Sequence, residues 1–148
     1  MTLYFPDVNV WLALSDSGHT HHRSATAWMN GIAGPAALVY SRFTHMGLLR
    51  LLTNPSVMAE RTLTLGKAWS IYEAWLKDSR VMFYPESAGL HSGFRQATTP
   101  VHQEHASKWV GDCYLLAFTK ECGATLVTFD RALVAFSRRY GFKAIAPA

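Results

Sequence analysis

Short blocks of apolar residues recur along the chain with two different spacings. Continuous apolar runs that end at a polar residue are typical of buried strands, whereas recurrence every three or four residues is typical of amphipathic helices. The first pattern predicts strands over residues 3–6, 37–40, 81–84 and 125–127, with an edge strand over 142–145. The second predicts helices over 8–14, 21–29, 42–52, 65–76, 107–122 and 131–139.

This alternation of strands and helices predicts an α/β fold, a three-layer α/β/α sandwich with a mainly parallel sheet. No internal repeat, low-complexity tract or linker marks a boundary, so we expect residues 1–148 to form a single domain. No apolar run is long enough to span a membrane, and Asp7 interrupts the region where a signal peptide needs an apolar core. We therefore expect a cytoplasmic protein.

The composition of the chain excludes few kinds of ligand or functional site. The 148 residues are 49% hydrophobic, which suffices for a packed core, and 14 Lys and Arg against 10 Asp and Glu give a net charge of +4. That charge is compatible with a polyanionic partner without identifying one. Cys113 and Cys122 fall on one predicted helix, roughly 13 Å apart, so we expect no disulfide. With no cysteine pair at zinc-binding spacing, a metal must be held by oxygen or imidazole.

Three aspartates have positions that suggest a shared site. Asp7 follows the first predicted strand, Asp130 follows the 125–127 strand, and Asp112 lies just ahead of the most apolar part of a buried helix. Ligands of parallel sheets gather beyond the carboxyl ends of the strands, so the three carboxylates can converge there. Each also has an ordinary explanation, because Asp7 and Asp130 stand where helix N-caps stand and Asp112 can complement a helix dipole.

The segments around these aspartates resemble the motifs of PIN domains. They read DVNVWLAL from Asp7, GDCYLLA around Asp112 and GATLVTFDR around Asp130. The resemblance spans essentially the whole chain, and it is greatest to the VapC-like toxins of type II toxin-antitoxin pairs. It implies a metal-dependent endoribonuclease that hydrolyses RNA phosphodiester bonds, with a cognate antitoxin as partner and a homodimer as assembly. The antitoxin's carboxy-terminal segment is expected to lie across the acidic groove.

The resemblance also implies roles for individual residues. Asp7, Asp112 and Asp130 are expected to hold Mg²⁺ or Mn²⁺, for which carboxylate oxygens are suitable ligands. Asn9 and Thr128 are expected to orient ligands or water around the metal. Such an ion polarises the phosphodiester and lowers the pKa of a bound water, so no side-chain nucleophile is required.

One position departs from the family pattern. PIN domains usually carry a Glu on the third helix three residues ahead of an Arg, and the position three residues ahead of Arg50 is Gly47. His45 is a poor substitute, because two helical positions rotate it by roughly 200°. The departure leaves a second hypothesis open, a catalytically degenerate RNA-binding module. The remaining candidates for a compensating carboxylate are Glu60, Glu86 and Glu104.

Other polar and aromatic clusters have ordinary interpretations. His19, His21 and His22 lack a second ligand group at diagnostic spacing, which favours a solvated helix start over a metal site. An aromatic stripe at helical spacing is expected to be core or a dimer surface rather than a base-stacking platform. Its members are Trp69, Tyr72 and Trp75. The cations predicted near the site, which can contact RNA phosphates or be plain surface charge, are Arg50, Arg95, Lys108 and Arg131. Arg50 differs from the others, because its position after Gly47 matches the family pattern and the resemblance implies a supporting role for it in the site.

Two further enzyme classes carry an Asp at the end of a first strand. Phosphoaspartate receivers need adjacent acids before that strand ends, a central phosphoacceptor Asp and a late Lys. Haloacid-dehalogenase-type phosphatases need a second Asp two residues after the first, where this chain has Asn9. Neither set is present, so the sequence favours the nuclease.

Overall fold

The computed structural model describes residues 1–147, in which five strands alternate with eight α-helices. The strands are β1 (Thr2–Pro6), β2 (Ala36–Tyr40), β3 (Val81–Phe83), β4 (Thr125–Val127) and β5 (Ala144–Ile145). The helices are α1 (Val8–Ser15), α2 (His22–Asn30), α3 (Arg42–Leu52), α4 (Pro55–Met58), α5 (Leu65–Leu76), α6 (Leu90–Thr98), α7 (Val110–Cys122) and α8 (Arg131–Arg139). Short 3₁₀ turns cover Ala59–Arg61, Thr99–Val101 and Ser107–Trp109.

The five strands form one parallel sheet in the order β3-β2-β1-β4-β5. The central strand β1 pairs on one side with β2, where Tyr4 is opposite Leu38, and on the other with β4, where Phe5 is opposite Leu126. Because every strand runs in the same direction, all five carboxyl ends lie at one edge. The first strand to appear in the sequence therefore ends in the middle of that edge, between β2 and β4.

Helices cover both faces of the sheet, so the predicted three-layer α/β/α sandwich is confirmed. Successive residues of a strand point to opposite faces, and on β2 Leu38 and Tyr40 belong to one hydrophobic core while Val39 belongs to the other. The first core packs the sheet against α1, α2, α3 and α5. The second packs it against α6, α7 and α8. The buried stretch of α7 predicted from its apolar run is also confirmed, since Leu115 to Phe118 are at most 3% exposed.

The aromatic stripe of α5 lies mostly in the first core, as expected. Tyr72 is 5% exposed and its ring stacks on that of His45 with 3.7 Å between ring centroids. The indole N–H of Trp75 donates to Ser15 Oγ at 2.8 Å, whereas Trp69 remains 40% exposed. The helical spacing of these aromatic residues therefore predicted the buried face of α5 correctly.

Two helices were absent from the sequence-based prediction. Helix α4 begins at the Asn54-Pro55 pair that ends α3, because Asn54 Oδ1 accepts a hydrogen bond from Ser56 N and proline is favourable at the first helical position. Helix α6 has no side-chain N-cap and buries only Leu90 and Ala97, so local signals for it are weak. Residues 107–109, predicted to begin α7, form a separate 3₁₀ turn.

Neither cysteine forms a disulfide, which confirms the prediction. Cys113 is buried and Cys122 is half-buried, both on α7. No helix within residues 1–147 is long and apolar enough to cross a membrane.

Candidate functional site

Asp7 lies at the end of β1, where the central strand meets α1. Its Oδ1 accepts a hydrogen bond from Val8 N at 2.7 Å, which makes it the N-cap of α1. Its Oδ2 accepts a hydrogen bond from the hydroxyl of Thr128 at 2.9 Å. Burial raises the pKa of the Asp7 carboxyl, the two hydrogen bonds lower it, and the charge of Asp130 raises it. The net shift is upward, so this carboxylate is in an environment that disfavours its negative charge.

Asp130 occupies the corresponding position after β4 and is also a helix cap. Its Oδ1 accepts a hydrogen bond from Leu133 N at 3.1 Å, so it begins α8. The capping explanation considered for Asp7 and Asp130 is therefore correct for both residues. It does not exclude a second role, because β1 and β4 are neighbouring parallel strands and bring both carboxylates to the same edge of the sheet.

Thr128 connects the two caps. Its hydroxyl donates to Asp7 Oδ2 and accepts from Asp130 N at 3.1 Å and from Asn9 Nδ2 at 3.3 Å. Asn9 Oδ1 in turn accepts from Phe129 N at 3.4 Å. Thr128 is fully buried, so water does not compete for its bonds. This network fixes the direction of the Asp7 carboxylate relative to the turn that carries Asp130.

Asp112 lies on α7, which packs in the same hydrophobic core as α8, the helix that Asp130 caps. It is the third residue of α7 and half-buried, and within residues 1–147 its carboxylate makes no hydrogen bond or ion pair. Burial raises the pKa of Asp112 to about 6, and the negative charges of Asp7 and Asp130 contribute to the increase. The charges of the three aspartates therefore influence one another.

The donor set fits a hard divalent cation in charge and in chemistry. Three carboxylates influence one another electrostatically, and none of them forms an ion pair with a Lys or Arg in the described part of the chain. A cation between them would remove the repulsion that raises the Asp112 pKa. As the side chains stand, however, no group of three His, Cys, Asp or Glu within residues 1–147 is gathered closely enough to hold an ion directly. Mg²⁺ commonly keeps several waters and takes only one or two carboxylates directly.

The space at Gly47 is filled by Val8. A Cβ added to Gly47 would lie 2.6 Å from Val8 Cγ2, so any side chain at position 47 would require Val8 or one of the two helices to shift. His45 points elsewhere, as expected from its helical position, because it is 2% exposed and packs between Tyr72 and Trp69. The missing carboxylate is therefore replaced by a tight helix contact that directly follows Asp7 in the chain.

None of the three glutamates considered as substitutes acts on the site. Burial, Asp7 and Asp130 account for the raised pKa of Asp112, and no glutamate contributes. Glu86 accepts a hydrogen bond from Tyr114 Oη at 2.7 Å, and Glu60 is next to Arg61. Glu104 is exposed and borders a groove beside α8. The Tyr114–Glu86 bond joins α7 to the segment after β3, and no local signal in the sequence indicates it.

The histidine cluster is a helix start, as the sequence suggested. The rings make different contacts: His19 Nδ1 accepts from His21 N, His22 Nδ1 lies 2.7 Å from the carbonyl of Ala13, and His21 stacks on Phe129. Phe129 precedes Asp130, so His21 covers the turn that carries the third aspartate. The cations Arg50, Arg95, Lys108 and Arg131 are all exposed, and their contact with RNA stays a prediction.

A family model and curated relatives match most of the chain. A family model described as PIN domain matches residues 4–140. The chain is 40% identical over 134 residues to Ribonuclease VapC41 of Mycobacterium tuberculosis, an alignment that covers 88% of this chain and 90% of that protein. It is 32% identical over 127 residues to Ribonuclease VapC39 of the same organism, covering 86% and 88% of the two chains.

Solved structures of low sequence identity share the fold. Mycobacterium tuberculosis VapC20, described as a Sarcin-Ricin loop cleaving toxin, superposes with a TM-score of 0.66 at 18% identity and covers 94% of this chain and 95% of its own. VapBC-1 from nontypeable Haemophilus influenzae gives a TM-score of 0.71 at 12% identity, with 98% of both chains covered. At these identities the similarity concerns the architecture alone.

Proposed function

The chain belongs to the PIN-domain family, and on that premise we propose that it is an endoribonuclease that uses Mg²⁺ or Mn²⁺ at Asp7, Asp112 and Asp130. It acts as the toxin of a toxin-antitoxin pair, and the whole chain works as a single domain. The observation that carries the proposal is the placement of the three aspartates: Asp7 and Asp130 cap the helices that follow the neighbouring strands β1 and β4, and the charges of both contribute to the raised pKa of Asp112, about 6. Such a concentration of negative charge costs stability and is typical of functional sites.

Each residue of the site has a defined task in this proposal. Asp7, Asp112 and Asp130 would hold the cation through oxygen ligands, directly or through water. Thr128 holds the Asp7 carboxylate in place, and Asn9 holds Thr128. The bound ion would polarise the phosphodiester, lower the pKa of the attacking water and stabilise the leaving oxygen. Hydrolysis forms one bond from water oxygen to phosphorus and breaks the bond to the leaving oxygen.

The negative charge of the three aspartates also explains why RNA would need a bound cation in order to bind at the acidic site. RNA carries one negative charge per phosphate, and the three aspartates repel such a charge when nothing lies between them. The exposed Asp130 and half-buried Asp7 and Asp112 leave the cluster open to a ligand from solvent. A single divalent ion would cancel two of the three negative charges and would offer a phosphodiester oxygen a positive centre to coordinate.

The proposal includes protein partners. VapC41 and VapC39 are named ribonucleases, and the VapBC-1 structure is named as a VapBC assembly. We propose a cognate antitoxin whose basic side chain neutralises the acidic cluster and blocks metal binding, and a homodimer as the assembled state. We propose a cytoplasmic location, because the RNA substrate and an antitoxin would be found there.

The decisive experiment compares RNA cleavage by the wild-type chain and by Asp7→Asn. Asparagine keeps a side-chain oxygen for Val8 N, so α1 retains its cap while one negative ligand is lost. We expect cleavage and growth inhibition to be abolished in the variant, and EDTA to abolish wild-type cleavage. Circular dichroism should show an unchanged fold.

Full activity of Asp7→Asn would remove the metal-site proposal. The non-catalytic alternative suggested by Gly47 makes the opposite prediction for the wild-type chain, namely RNA binding that is indifferent to EDTA and no cleavage under any metal condition. A covalent aspartyl-phosphate trapped on Asp7 would instead favour a phosphatase.

A further inference from the structure

A groove runs beside α8, the helix that Asp130 caps. Its volume is about 420 Å³, and its lining includes Ala132 and Ala135 on the exposed face of the helix. Trp109, three residues before Asp112, lines the groove, as does Arg139 at the far end of α8. Helix α8 is about 14 Å long, so the groove leads from the helix end that Asp130 caps toward the opposite end of the helix.

The groove has cations at its borders and one acidic residue. Lys108 lies with its ammonium 5.9 Å from the centre of the Trp109 ring, and the Arg139 guanidinium lies 5.3 Å from the centre of the Tyr140 ring. Neither cation forms an ion pair with a carboxylate in the described part of the chain. Both side chains are exposed, so their charges are available to a ligand. Glu104 is the acidic residue in the lining.

Aromatic rings alternate with these cations. Trp109 is half-buried and stacks on Phe136 with 4.5 Å between ring centroids, which fixes the orientation of the indole. Phe136 also contacts Tyr140, which is 39% exposed, with 4.8 Å between ring centroids, so the three rings form one aromatic cluster beside Ala132 and Ala135. Partly exposed aromatic rings next to cations without an ion pair are the features that single-stranded nucleic acid needs for base stacking and phosphate contact.

The position of the groove favours RNA over other polyanions. Without a bound cation the acidic cluster repels phosphates, so the free energy that retains RNA must then come from groups outside the cluster. The groove is lined by Trp109, three residues before Asp112, and by Ala132, two residues after Asp130, so its cations lie on or next to the elements that carry these two aspartates. Resting on the proposed function, we infer that this groove, lined by Trp109, Ala132, Ala135, Arg139 and Tyr140 with Lys108 at its rim, binds the single-stranded RNA adjoining the cleaved bond.

The test measures binding of a fluorescein-labelled single-stranded RNA of mixed sequence by fluorescence anisotropy, in EDTA so that no cleavage occurs. Affinity is followed from about 50 to about 200 mM salt, because each phosphate contact contributes about 0.7 to the slope of log K against log salt for single strands. The variant Lys108→Gln/Arg139→Gln should lower that slope by about 1.4 and weaken binding about tenfold.

A matched control keeps the net charge equal. Lys67→Gln/Lys77→Gln removes two exposed positive charges from α5 and its C-cap, on the other face of the sheet, and should leave the slope as in the wild type. Tyr140→Ala should weaken binding about tenfold without changing the slope, whereas Tyr140→Phe should bind like the wild type. Melting temperatures of all variants verify folding.

The outcomes separate this inference from the proposed function. If both double variants lower the slope of log K against log salt equally, or if neither lowers it, RNA does not bind in the groove, even when metal-dependent cleavage is normal. A groove-specific loss supports it even when no RNA is cleaved. Competition by duplex DNA or by phosphatidylserine vesicles that equals competition by single-stranded RNA would overturn the assignment to RNA.

Discussion

The hydroxyl of Thr128 donates to Asp7 Oδ2 at 2.9 Å across the gap between two neighbouring strands. The two residues are 121 positions apart in the chain, yet this bond sets the direction of the carboxylate that ends β1. The same hydroxyl accepts from the backbone of Asp130 and from Asn9. One buried oxygen therefore ties together the two ends of the sequence that supply acidic side chains.

Replacing Thr128 by valine should show how far its hydroxyl serves to orient the Asp7 carboxylate and how far it serves to stabilise the fold. The side chain keeps its shape but loses three hydrogen bonds, so we expect the free energy of unfolding to fall by about 1 to 3 kcal/mol. Because Asp7 then loses its fixed direction, the cleavage rate should fall about 10- to 100-fold. Urea denaturation and an RNA cleavage assay measure the two effects. Thr128→Ser retains the hydroxyl and should recover activity; a serine variant as slow as valine would contradict the prediction.

The raised pKa of Asp112 predicts a dependence of stability on pH in metal-free protein. The carboxyl releases its proton near pH 3.8 in the unfolded chain and near pH 6 in the folded chain. Stability from this group is complete below the lower value and is lost as pH rises through the upper one. Asp112→Asn should therefore be more stable than the wild type by about 1 to 2 kcal/mol at pH above 7, allowing for partial exposure.

Urea denaturation in EDTA at acidic and at neutral pH measures this difference. Near pH 4 the two proteins should have similar stability, because the wild-type carboxyl is then protonated in the folded state. An equal difference at both pH values would show that burial and charge at Asp112 are not its cause.

Divalent cations should stabilise the wild-type chain. Mn²⁺ at about 100 times its dissociation constant adds about 2.7 kcal/mol to the free energy of unfolding if it binds only the folded state. The gain should be much smaller in Asp112→Asn, which removes one of the three negative charges. Thermal unfolding with and without Mn²⁺ measures it. Glu73→Gln, which removes an exposed carboxylate from α5, is the control and should keep the full gain.

The contact between α1 and α3 should make position 47 intolerant of any side chain. Gly47→Ala should destabilise the fold by about 1 to 3 kcal/mol through the clash with Val8, although alanine is favoured over glycine in helices by about 1 kcal/mol. In the double variant Val8→Ala/Gly47→Ala much of the alanine penalty should disappear. Gly66→Ala on α5, where nothing lies within 4 Å of the added Cβ, should be neutral or stabilising. A neutral Gly47→Ala would refute the clash.

Much of this architecture was predictable because the strands carry strong local signals. The buried runs that become β1, β2 and β4 end at Asp7, Ser41 and Thr128, and the parallel sheet then brings their ends together. Helix α6 was not predictable in the same way. Glycine, threonine and histidine weaken its helical signal, and it depends on packing against α7 rather than on its own propensity.

The candidate site was likewise predictable only in part. Motif resemblance identified Asp7, Asp112 and Asp130, and its assignment of metal binding to them stays a prediction. The electrostatic coupling among them depends on tertiary distances that no sequence pattern encodes. The contact of Val8 with Gly47 was not predictable either, because the sequence does not show how closely α1 and α3 approach each other.

That contact couples positions 8 and 47. The first carbon of any side chain at position 47 would lie 2.6 Å from Val8 Cγ2, so a glutamate there requires Val8 to shift or to be replaced by a smaller residue. A fourth acid can therefore be engineered into this part of the fold most readily by changing both positions together.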